Sequence, residues 1–274
     1  MNVFRRIFDF YLDASIHVAL SVYSLVWLSG YMLNISIDID LALFLFFGSI
    51  ASYNFVKYGL EAEKYILVAN RYHKNIQFLS IIALGLACFH AYYLNYDTWI
   101  GLIVLSILTG LYAIPVLPHA KNLRSLSGFK IVVVALVWSG ATVLLPIFQI
   151  ESNINWDVEI ETIQRFLMVL VLLLPFEIRD LRYDPPELKT VPQRYGVRNT
   201  KKIGVVLVVI ILMLTFFKDN LQLIEILVKI SLSLSLILAV LITSKTRSKY
   251  YASFWVESLP IFWLAIAWVL REIF

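Results

Sequence analysis

IQRFLMVLVLLLPFEIRDLRYDPP, residues 163–186, is an apolar run suited to a helix in hydrocarbon, and it ends in three carboxylates: Glu177, Asp180 and Asp184. Steps of three and four residues put these acids on one helical face, about 10 Å from first to last at 1.5 Å per residue. Ionised carboxylates beside hydrocarbon are costly unless water, a metal or a cationic partner compensates them. The stretch therefore gives both the solvent of the helix and the place to look for chemistry. Pro175, two residues before Glu177, is where the helix is expected to open.

Working outward, 60% hydrophobic residues, 15% charged residues and a mean hydropathy of +0.80 over 274 residues exclude a water-soluble domain. Apolar runs of about bilayer-spanning length lie near 15–33, 41–60, 77–94, 97–114, 130–149, 163–180, 203–217, 221–243 and 254–271. No Gly/Ser linker or charge block divides the chain. The expected fold is an all-α integral membrane bundle of about nine transmembrane helices, one domain over 1–274, with cytoplasmic cap loops.

Charge supports that count. With the amino terminus inside and the carboxyl terminus outside, 19 of the 23 basic residues fall in cytoplasmic segments, as the positive-inside rule requires. The outer segment from Glu151 to Glu161 holds four acids, Glu151, Asp157, Glu159 and Glu161, and no Lys or Arg. Orientation accounts for the net charge of +4, so no nucleic-acid partner is expected. The single Cys88, inside an apolar span, is expected to be a packing residue, and the first residues form a short amphipathic stretch with Arg5 and Arg6 beside Phe4 and Ile7. His73 is expected as a solvated loop residue, and His90 as a residue near the outer end of a span, without a catalytic role.

Glu177-x-x-Asp180-x-x-x-Asp184, followed by Lys189-Thr190-Val191-Pro192-Gln193-Arg194-Tyr195-Gly196, resembles the second aspartate-rich motif of the UbiA-type intramembrane prenyltransferases and its "K-T-x-P-x-x-x-G" loop. Tyr112-Ala-Ile-Pro115, basic residues, and Lys130 leading to Trp138 resemble that family's fourth-to-fifth helix connection. The family's first motif is an Asn with Asp residues four and eight positions later; here Asn54 is present, Tyr58 and Ala62 hold the matching positions, and Glu61 is adjacent.

The resemblance implies transfer of an isoprenoid chain from a prenyl diphosphate to an aromatic or lipid-soluble acceptor, with Mg²⁺ as cofactor, in a bacterial inner membrane. Asp180 and Asp184, then Asn54 and Glu61, are the implied metal ligands, and Asp180, Asp184 and Glu177 the implied catalytic acids. Asn54, Tyr112, Lys121, Arg124, Lys130 and Arg182 are the implied substrate-binding residues. Phe55, Tyr58, Tyr112, Trp138, Phe176 and Tyr183 would offer aromatic faces to a developing carbocation.

Two other classes compete. A transporter would place ionisable groups near the bilayer midplane, whereas these acids cluster at one end of a span, and the deep spans show few charges beyond Glu225 and Lys229. A fold-retaining protein that binds a prenyl lipid or partner without turnover is favoured by Tyr58 and Ala62. Without the motif, the three acids would read as a solvated helix end paired with Arg179, Arg182 and Lys189.

Overall fold

Capping chemistry sets several of the helix starts. Asp38 accepts from the Leu41 amide at 2.8 Å, Asn95 from Thr98 at 2.8 Å, and Asn155 from Val158 at 3.0 Å, each filling a donor that the first helical turn leaves open. The computed structural model describes residues 3–59, 71–113, 129–151 and 153–273, and among these every regular element is helical.

In chain order the helices are α1 (Val3–Asp13), α2 (Ile16–Leu33), α3 (Ile39–Asn54), α4 (Arg71–Ala91), α5 (Tyr96–Ala113), α6 (Phe129–Ser139), α7 (Leu145–Gln149), α8 (Trp156–Asp180), α9 (Val191–Thr215), α10 (Leu223–Ile242) and α11 (Leu259–Ile273). Among the described residues three π-helical turns interrupt the regular ladder: Phe55–Gly59 after α3, Gly140–Leu144 joining α6 to α7, and Tyr251–Val256 before α11. Among the described residues six helical segments can, by length and composition, cross a membrane: Ile16–Leu33, Ile39–Tyr58, Tyr72–Ala91, Lys130–Gln149, Leu223–Ile242 and Tyr251–Ile273. Three further helices complete the series of expected runs: α5, whose apolar part is shorter, and α8 and α9, each 25 residues long with charged residues inside. The chain is an integral membrane protein.

Packing is organised around α8 and α2. Met168, Val169, Val171 and Leu172 of α8 join Leu25 and Leu28 of α2, Val208 and Ile211 of α9, Val228 to Val240 of α10 and Trp263 of α11 in one core. Val22 and Val26, on another face of α2, join Leu41, Leu45, Leu102 and Leu145 in a second core. Facing both, α2 has twelve buried residues and couples the two halves of the bundle. The α5–α7 contact is close because residue 101 is Gly: a Cβ there would lie 2.7 Å from Leu145 and 3.1 Å from Phe148. Between α8 and α9 the chain turns through Lys189 (φ 44°), and α9 itself kinks at Gly196, with φ 75° and ψ 159°, a region open essentially to glycine alone. The glycine that ends the eight-residue loop motif is thus a backbone requirement.

Three expectations are corrected. The helix does not open at Pro175, since α8 runs through it to Asp180. Cys88 is exposed on α4, beside the outward-facing Leu84, Leu86 and Phe89, so it does not pack in a core. Glu161 is not a residue of an outer acidic loop: α8 begins at Trp156, and Glu161 is buried inside the bundle. It meets Arg165 at 3.2 Å, Lys218 at 3.0 Å and Lys229 at 2.7 Å, while Lys218 also reaches Glu225 at 2.5 Å. Arg165 further donates to Leu25 O and Thr142 Oγ1, both at 2.9 Å, and Lys229 to Gln164 Oε1 at 2.8 Å. Hydrogen bonds and opposite charges of this quality allow five ionised groups to sit among apolar helices.

Candidate active site

The end of α8 is shaped by the segment that follows it. Asp184 N donates to Asp180 O at 2.9 Å, and Gln193 Nε2 reaches back to Asp184 O and Pro185 O at 3.1 Å each. Gln193 Oε1 accepts from Thr190 N at 2.9 Å, with Pro192 in the first turn of α9, where its missing N–H costs nothing. Glu177, 2% exposed, accepts from Val191 N at 3.1 Å. Its carboxylate pins the start of α9 to the end of α8.

Asp180 and Asp184 are the more accessible acids. Arg179 grips both oxygens of Asp180, with Nε to Oδ1 at 2.7 Å and Nη2 to Oδ2 at 2.9 Å, and its guanidinium lies 5.1 Å from the centre of the Phe176 ring. Asp184 Oδ2 is buried without a hydrogen bond and lies 4.0 Å from Lys130 Nζ. A buried carboxylate oxygen of this kind has a free lone pair for a cation.

Beside these acids is a cavity of about 250 Å³, lined by Asp180, Lys130, Glu257, Tyr53, Trp138 and Phe176 among apolar residues such as Val169, Leu172 and Val256. A second cavity of about 320 Å³, mainly apolar, lies between α3, α5 and α6 and includes Phe44, Leu45, Leu102 and Leu105. Tyr53, Val134 and Trp138 line both. Trp138 Nε1 donates to Tyr53 Oη at 2.7 Å, so this aromatic pair stands at the boundary of a polar-ended chamber and an apolar one.

The structure thus brings Asp180, Lys130, Trp138 and Phe176 into one cavity, with Asp184 and Glu177 next to it. Other expected residues are elsewhere. Each polar atom of Asn54 has a partner in a buried cluster: Oδ1 accepts from Ser15 Oγ at 2.7 Å, and Nδ2 donates to Ala14 O at 3.0 Å and Ser80 Oγ at 2.9 Å. Asn54 therefore ties α2, α3 and α4 together and does not line the cavity. Arg182 and Tyr183 are exposed, Phe55 is 55% exposed, and Tyr58 donates to Asp13 O at 3.1 Å. His73 is exposed in the first turn of α4, and His90 pairs with Asp40 at 2.7 Å. Glu61, Lys121, Arg124 and the Tyr112 side chain lie outside the described residues. Among those described, no group of three or more His, Cys, Asp or Glu is arranged to hold a metal ion. Asp180 and Asp184 remain as a pair, which suffices for Mg²⁺ where substrate phosphate and water complete the shell.

Sequence reasoning missed Tyr53 and Glu257. Tyr53 gave no signal beyond its adjacency to Asn54. Glu257 did: it is a lone acid within an apolar run, and ionisable residues inside a span are functional candidates by default.

No protein-family model matches the sequence, and no curated protein matches it. Solved structures do match. A UbiA homologue from Archaeoglobus fulgidus bound to DMAPP and Mg²⁺ superposes with a TM-score of 0.65 at 13% identity, covering 96% of this chain and 99% of that one; the same homologue bound to GPP and Mg²⁺ gives the same figures. A structure of digeranylgeranylglyceryl phosphate synthase matches with a TM-score of 0.55 at 16% identity, covering 96% of both chains. The chain has the UbiA-type fold.

Proposed function

We propose that this protein is an intramembrane prenyltransferase that binds a prenyl diphosphate with its diphosphate at Asp180, Asp184 and Lys130 and its isoprenoid chain in the apolar cavity. One observation carries the reading: the 250 Å³ chamber is walled by apolar and aromatic side chains yet has a carboxylate, Asp180, and an ammonium, Lys130, at its lining. An amphiphile with an anionic head and an apolar tail has the matching polarity. The ligands of the superposable homologue, DMAPP and GPP with Mg²⁺, support it.

The residues have separable tasks. Lys130 offsets charge that builds on the departing diphosphate. Asp180 and Asp184 fit Mg²⁺, because Asp184 Oδ2 lacks a hydrogen bond and Asp180 lines the cavity; the metal, when bound, neutralises diphosphate charge. Trp138, Phe176 and Tyr53 present ring faces to positive charge developing on the isoprenoid carbon and keep water away from it. Nine crossings, with the amino terminus and the acid-ended α8 on the cytoplasmic side, complete the proposal.

A second reading keeps the binding and omits the turnover. The commitment of Asn54 to buried hydrogen bonds favours it, since only one acid-bearing helix then faces a metal among the described residues. Purified protein in lipid, given radiolabelled geranyl, farnesyl and geranylgeranyl diphosphates with a membrane lipid extract, distinguishes the two. A Mg²⁺-dependent labelled lipid is the expected result; binding of the diphosphates without product establishes the second reading.

A further inference from the structure

Glu257 lines the same chamber as Asp180 and Lys130, but it comes from the opposite end of the chain. It follows the π-helical turn Tyr251–Val256, and such turns leave backbone carbonyls off register and occur frequently at functional sites. Side chains of α2 take up those carbonyls. His17 Nε2 donates to Phe254 O at 3.0 Å, and Ser21 Oγ donates to the carbonyl of Glu257 itself. Tyr11 Oη holds His17 Nδ1 at 2.6 Å, and Ser258 Oγ donates to Phe254 O at 2.6 Å. The backbone beneath Glu257 is gripped from α2.

Its carboxylate is not. Glu257 is half-buried, and among the described residues no ion pair is formed by its carboxylate. Lys57 and Arg179 are the cations close enough to act on it, but Arg179 is engaged with Asp180, and Lys57 donates to Asp13 O at 3.2 Å. A firmly placed, unpaired acid in an apolar chamber is destabilising, so its presence needs a ligand or a reaction to explain it. A carboxyl offers no positive charge to offset the diphosphate. It suits a hydrogen-bond donor brought next to the reacting end of the chain.

Resting on the prenyl-transfer reading, we infer that Glu257 is the acceptor-side catalytic residue, and that the acceptor reacts through an uncharged hydroxyl. The hydroxyl donates a hydrogen bond to Glu257. Its oxygen lone pair forms the new bond to the terminal isoprenoid carbon, and the bond from that carbon to the diphosphate oxygen breaks, its electron pair leaving with diphosphate. The hydroxyl proton passes to the Glu257 carboxylate.

The test separates donor from acceptor. Binding of geranylgeranyl diphosphate with Mg²⁺, and transfer of its labelled chain to a membrane lipid extract, are measured for wild type, Glu257→Gln and Glu257→Asp. The expected result is donor affinity within about threefold of wild type in Glu257→Gln with transfer down about 100-fold, the scale of general-base loss. Glu257→Asp should recover part of the transfer. Transfer by Glu257→Gln within about threefold of wild type overturns the inference, as does a parallel loss of donor binding and transfer. Wild type that binds no prenyl diphosphate removes the prenyl-transfer reading itself. Independently of turnover, dicyclohexylcarbodiimide, which modifies carboxyls in apolar surroundings, should label Glu257 in folded protein; no adduct at Glu257 refutes its place in an accessible chamber.

Discussion

Replacing Glu161 with Gln should be among the most destabilising single changes in this protein. Its two oxygens contact three cations, Arg165 at 3.2 Å, Lys218 at 3.0 Å and Lys229 at 2.7 Å, all buried. A unit charge pair at 4 Å is worth about 4 kcal/mol at an effective dielectric of about 20, so three contacts represent on the order of 12 kcal/mol gross. Much of that offsets desolvation, and breaking one buried pair costs about 3–5 kcal/mol net. The arrangement decides the rest. Wild type holds three cations against two acids, Glu161 and Glu225, and Glu161→Gln leaves three against one. Although burial works against its charge, Glu161 and then Glu225 hold the Lys218 ammonium above its ordinary pKa, and the variant removes the first of these. A loss of about 4 kcal/mol corresponds to a fall in Tm of about 10 °C for a chain of this size. Lys229→Met makes the opposite change, leaving two cations against two acids, and should cost less than Glu161→Gln because the buried charges then balance. The double variant should melt above Glu161→Gln alone. Thermal unfolding in detergent by intrinsic Trp fluorescence reads all three; Glu161→Gln melting within about 2 °C of wild type would refute the reasoning.

Gly196→Ala should cost about 1–3 kcal/mol although its Cβ would meet no atom within 4 Å, because φ 75° and ψ 159° suit glycine alone; an unchanged melting temperature would show that the α9 kink carries no strain. Asp9 links α1 to the carboxyl-terminal part of the chain through Tyr250 at 2.7 Å and Lys249 at 3.1 Å, and these hydrogen bonds hold its carboxyl below the usual range. Because the folded value is the lower one, the link is present above about pH 4 and lost as pH falls through the folded value. A spin label on α1 should gain mobility there, and Asp9→Asn should be mobile at every pH.

Much of the fold was legible because the solvent is hydrocarbon: nine apolar runs correspond to helices in the structure, with α8 beginning earlier than its apolar part. Asn155 marked that earlier start, but the acids after it resembled an outer loop. What made Glu161 buriable lies on other elements, Lys218 and Lys229, 57 and 68 residues away. Spacing placed Glu177, Asp180 and Asp184 on one face, yet could not separate Glu177, which anchors Val191, from Asp180, which faces the chamber. Asn54 was read for its motif position, while its neighbours Ser15 and Ser80 lie 39 and 26 residues away and settle its hydrogen bonds. π-helical turns have no periodic signature, so the placement of Glu257 could not be read. Gly196 was matched as a motif letter, and its positive φ supplies the physical reason.

Transfer of label from geranylgeranyl diphosphate to membrane lipid, measured in wild type and Asp180→Asn with Mg²⁺ or chelator, bears most directly on the central claim. The account predicts a labelled lipid in wild type that disappears with chelator and falls by about 100-fold or more in Asp180→Asn, while the variant melts within about 3 °C of wild type. Undiminished transfer by Asp180→Asn, or Mg²⁺-independent transfer by wild type, would contradict it.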